Sequence, residues 1–408
     1  MTHLLSSTIT RRAALASGGA LFAWSFIPSF VGGGGSRDPR LVVLVLRGAL
    51  DGLIAAPPVG DPDHEALRGR LALTRSGENT APMLDSFFGL HPSMPQFARL
   101  WSQGEAMLVH AVATPYRGRS HFDGQDVLES GQAGPGRVDS GWLNRALTTL
   151  PAGERIEGPA RGLAVGVTTP LILRGSASIT GWSPAAVVNS SDDLAQRLST
   201  LYGERDPALQ ANLRQALALD AVARRETGDL PRSGADAAMR LPARGAAKLL
   251  AADDGPRIAA LSFNGWDTHA NAGAARGRVA DLLAGLDAAF HEFEKGLGPQ
   301  WRNTVVIALS EFGRTARVNG TSGTDHGVGG VCFIAGGAVA GGRVIADWPG
   351  LRQANLFEGR DLAPTTDLRA VLKGVLADHL GISPAALARI VFPGSDAVRP
   401  LANIIRTA

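Results

Sequence analysis

The stretch from Asn303 to Gly330 limits what this chain can become more than any other. Asn303-Thr-Val-Val-Ile-Ala-Leu-Ser310 is an apolar, β-branched run of strand length, and Glu311 follows where such a strand would end. A short continuous apolar run suits a strand buried on both faces of a parallel sheet. In open α/β sheets, ligands bind just outside the carboxyl ends of the strands. Glu311 stands at such an end, and Asp325 and His326 follow beyond a Gly/Ser/Thr/Asn-rich loop. Taken alone, the stretch reads equally well as a helix cap followed by a turn pair.

The same grammar recurs along the chain. Leu41–Leu46 is a second continuous apolar run, and Arg47-Gly-Ala-Leu-Asp51-Gly52 follows it. Asp51 there is either a site carboxylate or an ordinary Asp-Gly turn. Ala106–Val112 reads as a strand and leads into Arg117-Gly-Arg119-Ser120-His121. Ser120 suits the N-cap of a helix running to about Glu129. A helix N-terminus with Arg117 and Arg119 beside it suits an anion, and a serine next to His121 also suits a nucleophile. Ile258–Phe263 is a further strand, followed by Asp267 and His269. Two positions apart in extended chain, these side chains point to one side. They make either a divalent-metal pair or a carboxylate that steadies an imidazole.

Between these runs the periodicity predicts helices over 91–103, 274–297 and from Thr365 to Leu380, where His379 would cap the helix C-terminus. Gly162–Val167 and Leu171–Leu173 read as short strands. Asp192–Arg225 reads as helical and Glu226–Leu241 as an exposed loop, together suggesting a helical insertion over about 190–250. Strands alternating with helices give an α/β fold, a mainly parallel central sheet with helices on both faces.

The 408 residues suffice for one large domain, and apolar and charged shares of 45% and 19% are those of a globular protein. A net charge of +3 without a basic block argues against a nucleic-acid partner. Cys332 is the only cysteine and lies in an apolar run, so the chain can form no internal disulfide and the thiol belongs in the core. At the N-terminus, Arg11-Arg12 precedes a modest apolar segment. Residues 1–31 therefore read as a twin-arginine export signal, with the translocation machinery as partner and a periplasmic or secreted destination. An uncleaved membrane anchor is the alternative. Residues 32–39 would be a linker and 40–408 one domain.

Several polar clusters at one sheet end supply carboxylates, imidazoles, a hydroxyl and arginines, the inventory of a metal-dependent hydrolase acting on an anionic ester. The motifs also resemble a known family. Arg47-Gly-x-x-Asp51-Gly, Arg119-Ser-His-Phe-Asp123, Trp266-Asp-Thr-His269, Ser310-Glu-Phe-Gly-Arg314, Gly323-Thr-Asp-His-Gly327, Thr365-Thr-Asp-x-Arg369 and Phe392-Pro-Gly394 are similar to the exported bacterial family catalogued as domain of unknown function fifteen-oh-one. That family is placed in the alkaline-phosphatase-like superfamily, with sulfatases and cofactor-independent phosphoglycerate mutases.

The resemblance implies Asp267, His269 and His326 as ligands of one metal, and Asp51 and Glu311 as carboxylates of a second, with Asp325 in the same group. Zinc is the first choice, with manganese, calcium or magnesium as alternatives. Ser120 is the nearest candidate for the superfamily's nucleophile; in a hydrolase Arg119 and His121 would serve catalysis beside it, with Arg47, Arg117 and Arg314 on the transferred anion. This chain departs from the superfamily in two places. Its Asp and His are two apart rather than four, and Glu311-Phe312 stands where Asp-His is usual. Two functions follow: a hydrolase of phosphate or sulfate esters, or a non-catalytic exported protein that binds metal, an anionic glycan or a protein partner. The sequence leaves open whether the chain is an enzyme, and leaves its oligomeric state open.

Overall fold

The computed structural model describes residues 38–151, 162–184, 210 and 235–407. The expected export signal, most of the linker and all but Gln210 of the helix expected over Asp192–Arg225 lie outside the described residues.

The apolar runs become strands. They are β1 (Arg40–Arg47), β2 (Ala106–Ala113), β3 (Gly162–Val165), β4 (Ile179–Trp182), β5 (Ile258–Asn264), β6 (Thr304–Leu309), β7 (Gly330–Ala335), β8 (Arg343–Ile345) and β9 (Thr366–Asp367). They form one sheet in the order β4-β3-β5-β1-β6-β7-β2-β8, with β9 also pairing β2. From β4 across to β6 every pairing is parallel. β7 is antiparallel to both its neighbours, β6 and β2. Its reversal matters for the site. The loop between β6 and β7 stays at the end of the sheet where the parallel strands finish, so Glu311 and His326 open on the same rim.

The helices are α1 (Gly52–Ala55), α2 (His64–Arg68), α3 (Pro95–Ser102), α4 (His121–Ser130), α5 (Trp142–Thr148), α6 (Ala235–Ala251), α7 (Arg278–Leu297) and α8 (Leu368–Leu380). They cover both faces of the sheet. On β1, Val42, Leu44 and Leu46 pack with Ala243 and Ala246 of α6 and Leu283 and Phe290 of α7. The intervening Leu41, Val43 and Val45 pack with Trp142 of α5 and Val371 and Val375 of α8. Alternate residues thus serve opposite cores, which is why the run carries no polar face. Cys332 is buried in the second of these cores, and burial pushes its thiol up.

Several local expectations are corrected. Leu171–Leu173 is a 3-10 turn closed by Leu173 N–H on the Pro170 carbonyl, because three residues after a proline are too few to choose a strand by period. Residues 235–241, expected in a loop, begin α6, where Ala237 and Met239 are buried. The first helix of the domain's middle starts at Pro95 rather than His91, and the helix before β6 starts at Arg278 rather than Ala274. His379, expected at the helix end, donates Nε2 to the Arg40 carbonyl at 2.9 Å and ties α8 to β1. Among the described residues, no helix is long and apolar enough to cross a membrane.

Candidate metal centre

Asp267 lies in the turn after β5, and three imidazoles approach its carboxylate. His269 Nε2 is 3.1 Å and His326 Nε2 3.4 Å from Oδ1, and His121 Nε2 is 3.5 Å from Oδ2. His269 Nε2 and His326 Nε2 are 2.9 Å apart. The ligating atoms of His121, Asp267 and His326 all lie within 4.8 Å of one another, and His269 joins them through Asp267 and His326.

Each imidazole is held from behind by a group that can only accept. His121 Nδ1 donates to Glu311 Oε1 at 2.8 Å, His269 Nδ1 to Asp325 Oδ1 at 3.2 Å, and His326 Nδ1 to the Arg119 carbonyl at 2.9 Å. A hydrogen bond on one ring nitrogen fixes the tautomer and leaves the lone pair on the other. Three Nε2 lone pairs therefore converge beside one carboxylate. With both rings neutral, two of these lone pairs meet at 2.9 Å, an approach that a cation or a shared proton between them relieves. His121 Nε2 is buried and has no hydrogen-bond partner.

These observations test whether the residues fit a metal ion. Ligands on bonds of ~2.0–2.1 Å in a tetrahedral site stand about 3.4 Å apart. The four separations here, from 2.9 to 3.5 Å, bracket that value. Nitrogen ligands with a carboxylate suit zinc and its first-row neighbours better than calcium or magnesium. The side chains fit a divalent cation held by His121, Asp267, His269 and His326.

The electrostatics agree. Burial pushes the Asp267 carboxyl up, but Arg314 and then the neighbouring imidazoles outweigh it and hold the group below its ordinary range. Glu311 is likewise pushed up by burial and pulled down further by His121, Gly48 N–H and Ser310 Oγ. The Asn319 amide keeps Asp325 low. The Glu311 hydrogen bond raises His121, whereas burial and the charge of His121 lower His326.

The other expected site residues are placed as follows. Glu311 is fully buried and turns its carboxylate to His121, Gly48 N–H, Gln125 and Ser310. It supports a ligand in this arrangement rather than facing the shared point, and Asp325 does the same for His269. Asp51 stands apart from the imidazoles. It caps α1, accepts from Thr324 Oγ1 at 3.1 Å and pairs with the buried Arg68 at 2.6 Å. The expected second-metal pair of Asp51 and Glu311 is therefore not assembled. Ser120 caps α4, its Oγ accepting from Asp123 N–H over a long 3.5 Å. It immediately precedes His121, which moves from the expected catalytic role to the ligand group.

The arginines expected on an anion all have partners. Arg117 donates to the Thr114 and Tyr116 carbonyls. Arg119 pairs with Asp361 and Glu358, and Arg47 with Glu129. Arg314 is buried and donates to the carbonyls of Gly48, Ala49, Trp266 and Thr324 and to Asp267 Oδ1. Sequence reading missed Arg68 and Asn319, each lying in a stretch rich in turn residues and charge with no period to single it out.

With this geometry in view, the comparisons place the chain. It matches the family described as Protein of unknown function (DUF1501) over residues 38–391, and it belongs to that family. No curated protein matches it. Among solved structures it is similar to Ps i-CgsB in complex with k-i-k-neocarrahexaose, at 12% identity over 90% of this chain and 75% of that one, with a TM-score of 0.38. It is similar to the PsFucS1 sulfatase from Pseudoalteromonas sp., at 14% identity over 82% and 67%, with a TM-score of 0.34. A mutant TAB5 alkaline phosphatase with Mg bound is 13% identical over 76% and 95%, with a TM-score of 0.34.

Two stability predictions follow from the buried guanidinium groups. Arg314→Lys keeps the charge but cannot span four carbonyls with a planar fork. It should lower unfolding free energy by about 3 kcal/mol or more in urea melts and weaken metal retention in parallel. Arg68→Ala strands the Asp51 carboxylate in the interior and should cost about 3–5 kcal/mol. Because Asp51 is turned away from the imidazoles, any folded Arg68→Ala protein should still load metal, as elemental analysis would report.

Proposed function

We propose that this protein is an exported, divalent-metal-dependent hydrolase of phosphate or sulfate esters. The observation that carries the reading is the convergence of three Nε2 lone pairs on the Asp267 carboxylate, each ring fixed through its other nitrogen. Zinc is the metal this donor set favours. When bound, a divalent cation supplies Lewis acidity toward a nonbridging ester oxygen. The chain's own residues hold and orient. His121, His269, His326 and Asp267 form the ligand group, and Glu311, Asp325 and the Arg119 carbonyl fix the rings that face it. Ser120, one residue before His121, is the nucleophile of first choice, and water is the alternative. Export follows from Arg11-Arg12 and the apolar segment behind them. A folded protein carrying its metal is suitable cargo for that route.

A second reading is favoured by a specific observation. Arg117, Arg119 and Arg314, expected on the transferred anion, are already engaged with carbonyls and carboxylates. A protein that binds metal and an anionic partner without turnover would tolerate that arrangement. One experiment separates the two. The purified protein is analysed for zinc, manganese, calcium and magnesium, then screened against aryl phosphates, phosphodiesters and aryl sulfates. The hydrolase reading expects bound metal and turnover, with His269→Ala losing both and Ser120→Ala losing turnover alone. Metal without turnover on any ester would leave the binding reading standing and remove the hydrolase. Turnover that survives Ser120→Ala would transfer the nucleophile's role to water.

The groups behind the imidazoles give a further prediction. Asp325→Ala removes the acceptor that sets the His269 tautomer and should weaken metal affinity roughly 10- to 100-fold in a chelator competition. Metal retention should also fall on acidification, because the Nε2 atoms bind only as lone pairs. Dialysis near pH 7.5 should keep the ion, and dialysis near pH 5, below the ordinary imidazole range, should strip it. Retention unchanged across that interval would argue against imidazole ligation.

A further inference from the structure

Beside the metal centre lies an open cleft of about 420 Å³, set at the carboxyl ends of β1, β3 and β5 and walled by one side of α4. Its volume is within the range of about 300–1,000 Å³ typical of small-molecule sites. The cleft and the centre share a wall: Gln125 lines the cleft and donates Nε2 to Glu311 Oε1 at 3.2 Å, the same oxygen that fixes His121. They also share chain, since α4 begins with His121, and β5 delivers Ser262 and Asn264 to the cleft just before Asp267 and His269.

The lining is unusual in three respects. Phe122, the residue after His121, is 90% exposed on the rim. An aromatic ring held bare at a cleft mouth loses hydrophobic free energy unless something covers it in use. Second, the lining is rich in side chains that both donate and accept or present planar polar edges: Gln125, Ser262, Asn264 and Arg174. Ser262 Oγ and Arg47 Nε are buried polar atoms without a hydrogen-bond partner just behind this lining. Third, the charges nearly cancel. Arg47 is neutralised by Glu129 at 2.5 Å, and Arg174 faces a cleft that also holds Asp126.

A charge-balanced cleft does not select a polyanion. A bare aromatic face beside a ring of mixed donors and acceptors instead matches a molecule with one C–H face and a rim of hydroxyls. We propose that this cleft holds the sugar ring of a sugar phosphate or sugar sulfate, with Phe122 beneath the ring's C–H face and Gln125, Asn264 and Arg174 around its hydroxyls. The ester group would then lie toward the imidazoles. The inference rests on the hydrolase reading for the ester, but the sugar contact stands on the cleft alone. Glu129 is a positioning residue in this scheme. One of its oxygens holds Arg47 and the other accepts from Ile172 N–H at 3.1 Å, fixing the turn that forms the far wall.

The test is saturation-transfer NMR on the full chain with D-glucose 6-phosphate and D-glucose 6-sulfate, with elemental analysis of the same samples. Saturation should reach the sugar ring protons. Phe122→Ala should raise Kd for the preferred ester roughly tenfold with metal content unchanged, and Phe122→Trp should restore binding. Since Phe122 is on the surface, loss of folding does not confound the variant. Tighter binding of one ester identifies the group, phosphate or sulfate, that faces the metal. Ring saturation that persists in His269→Ala after the metal is lost would support the cleft while leaving the ester's fate to the metal. Equal affinity in Phe122→Ala and the parent, or no ring saturation with either ester, would overturn the proposal. In that case bound metal and turnover of an aryl ester would leave the hydrolase reading intact. Conversely, a protein that binds no metal but binds sugars through Phe122 would sink the hydrolase and keep the cleft.

Discussion

The guanidinium of Arg314 is the interaction on which the centre depends. It is buried, and its N–H groups reach the carbonyls of Gly48, Ala49, Trp266 and Thr324 and one oxygen of Asp267. Those acceptors belong to the turn after β1, the turn after β5 and the loop before β7. Backbone hydrogen bonds already link these segments, Trp266 N–H to the Arg47 carbonyl and Thr324 N–H to the Thr268 carbonyl. Burying an arginine is costly, and the cost is offset only when its donors are met with good geometry. Here one side chain meets the acceptors of three segments and thereby fixes where each can lie. This knot joins all three segments beside the ligand group.

Backbone proximity completes what Arg314 begins. Gly48 has φ +119°, and a Cβ there would lie 2.5 Å from Asp267 N. A Cβ on Gly323 would lie 2.3 Å from the His269 carbonyl carbon. Glycine at these two positions lets the first turn and the later loop press against the Asp267–His269 segment. Glu311 exploits the closeness: its carboxylate accepts from Gly48 N–H at 2.8 Å and from His121 Nδ1 at 2.8 Å, so the end of β6 binds the end of β1 and the start of α4 in one group.

Much of this was legible in the sequence. Apolar runs without alternation marked the strands that are buried on both faces, and the residues just beyond them marked the functional end. Asp267, His269 and His326 were identified as a group and lie together. What the sequence did not reveal is which way a polar side chain turns once several meet. Asp51 had every local qualification for a site carboxylate, but Arg68, in an irregular stretch with no period, sits 2.6 Å from it and claims it. His121 read as a catalytic neighbour of the nucleophile because a serine precedes it. The identity of its acceptor, 190 positions away, is set by the sheet order and not by spacing. The antiparallel setting of β7 is of the same kind: its apolar run says strand, and only pairing decides direction.

Charge balance gives an independent reason to favour a cation at the centre. Asp267, Glu311 and Asp325 are all held toward their ionised forms, and among the described residues the guanidinium paired with this group is Arg314, through Asp267. Further out, Arg119 and Arg360 are matched by Asp361 and Glu358. With neutral imidazoles, three carboxylates against one guanidinium leave two negative charges uncompensated in a partly buried pocket. Protonating His121 and one of His269 and His326 would also restore the balance, the pair then sharing an Nε2–H···Nε2 hydrogen bond at 2.9 Å. A single divalent ion meets the same deficit and uses every converging lone pair. Desolvation makes such a deficit expensive to maintain, so a pocket built this way is more stable with the ion than without it.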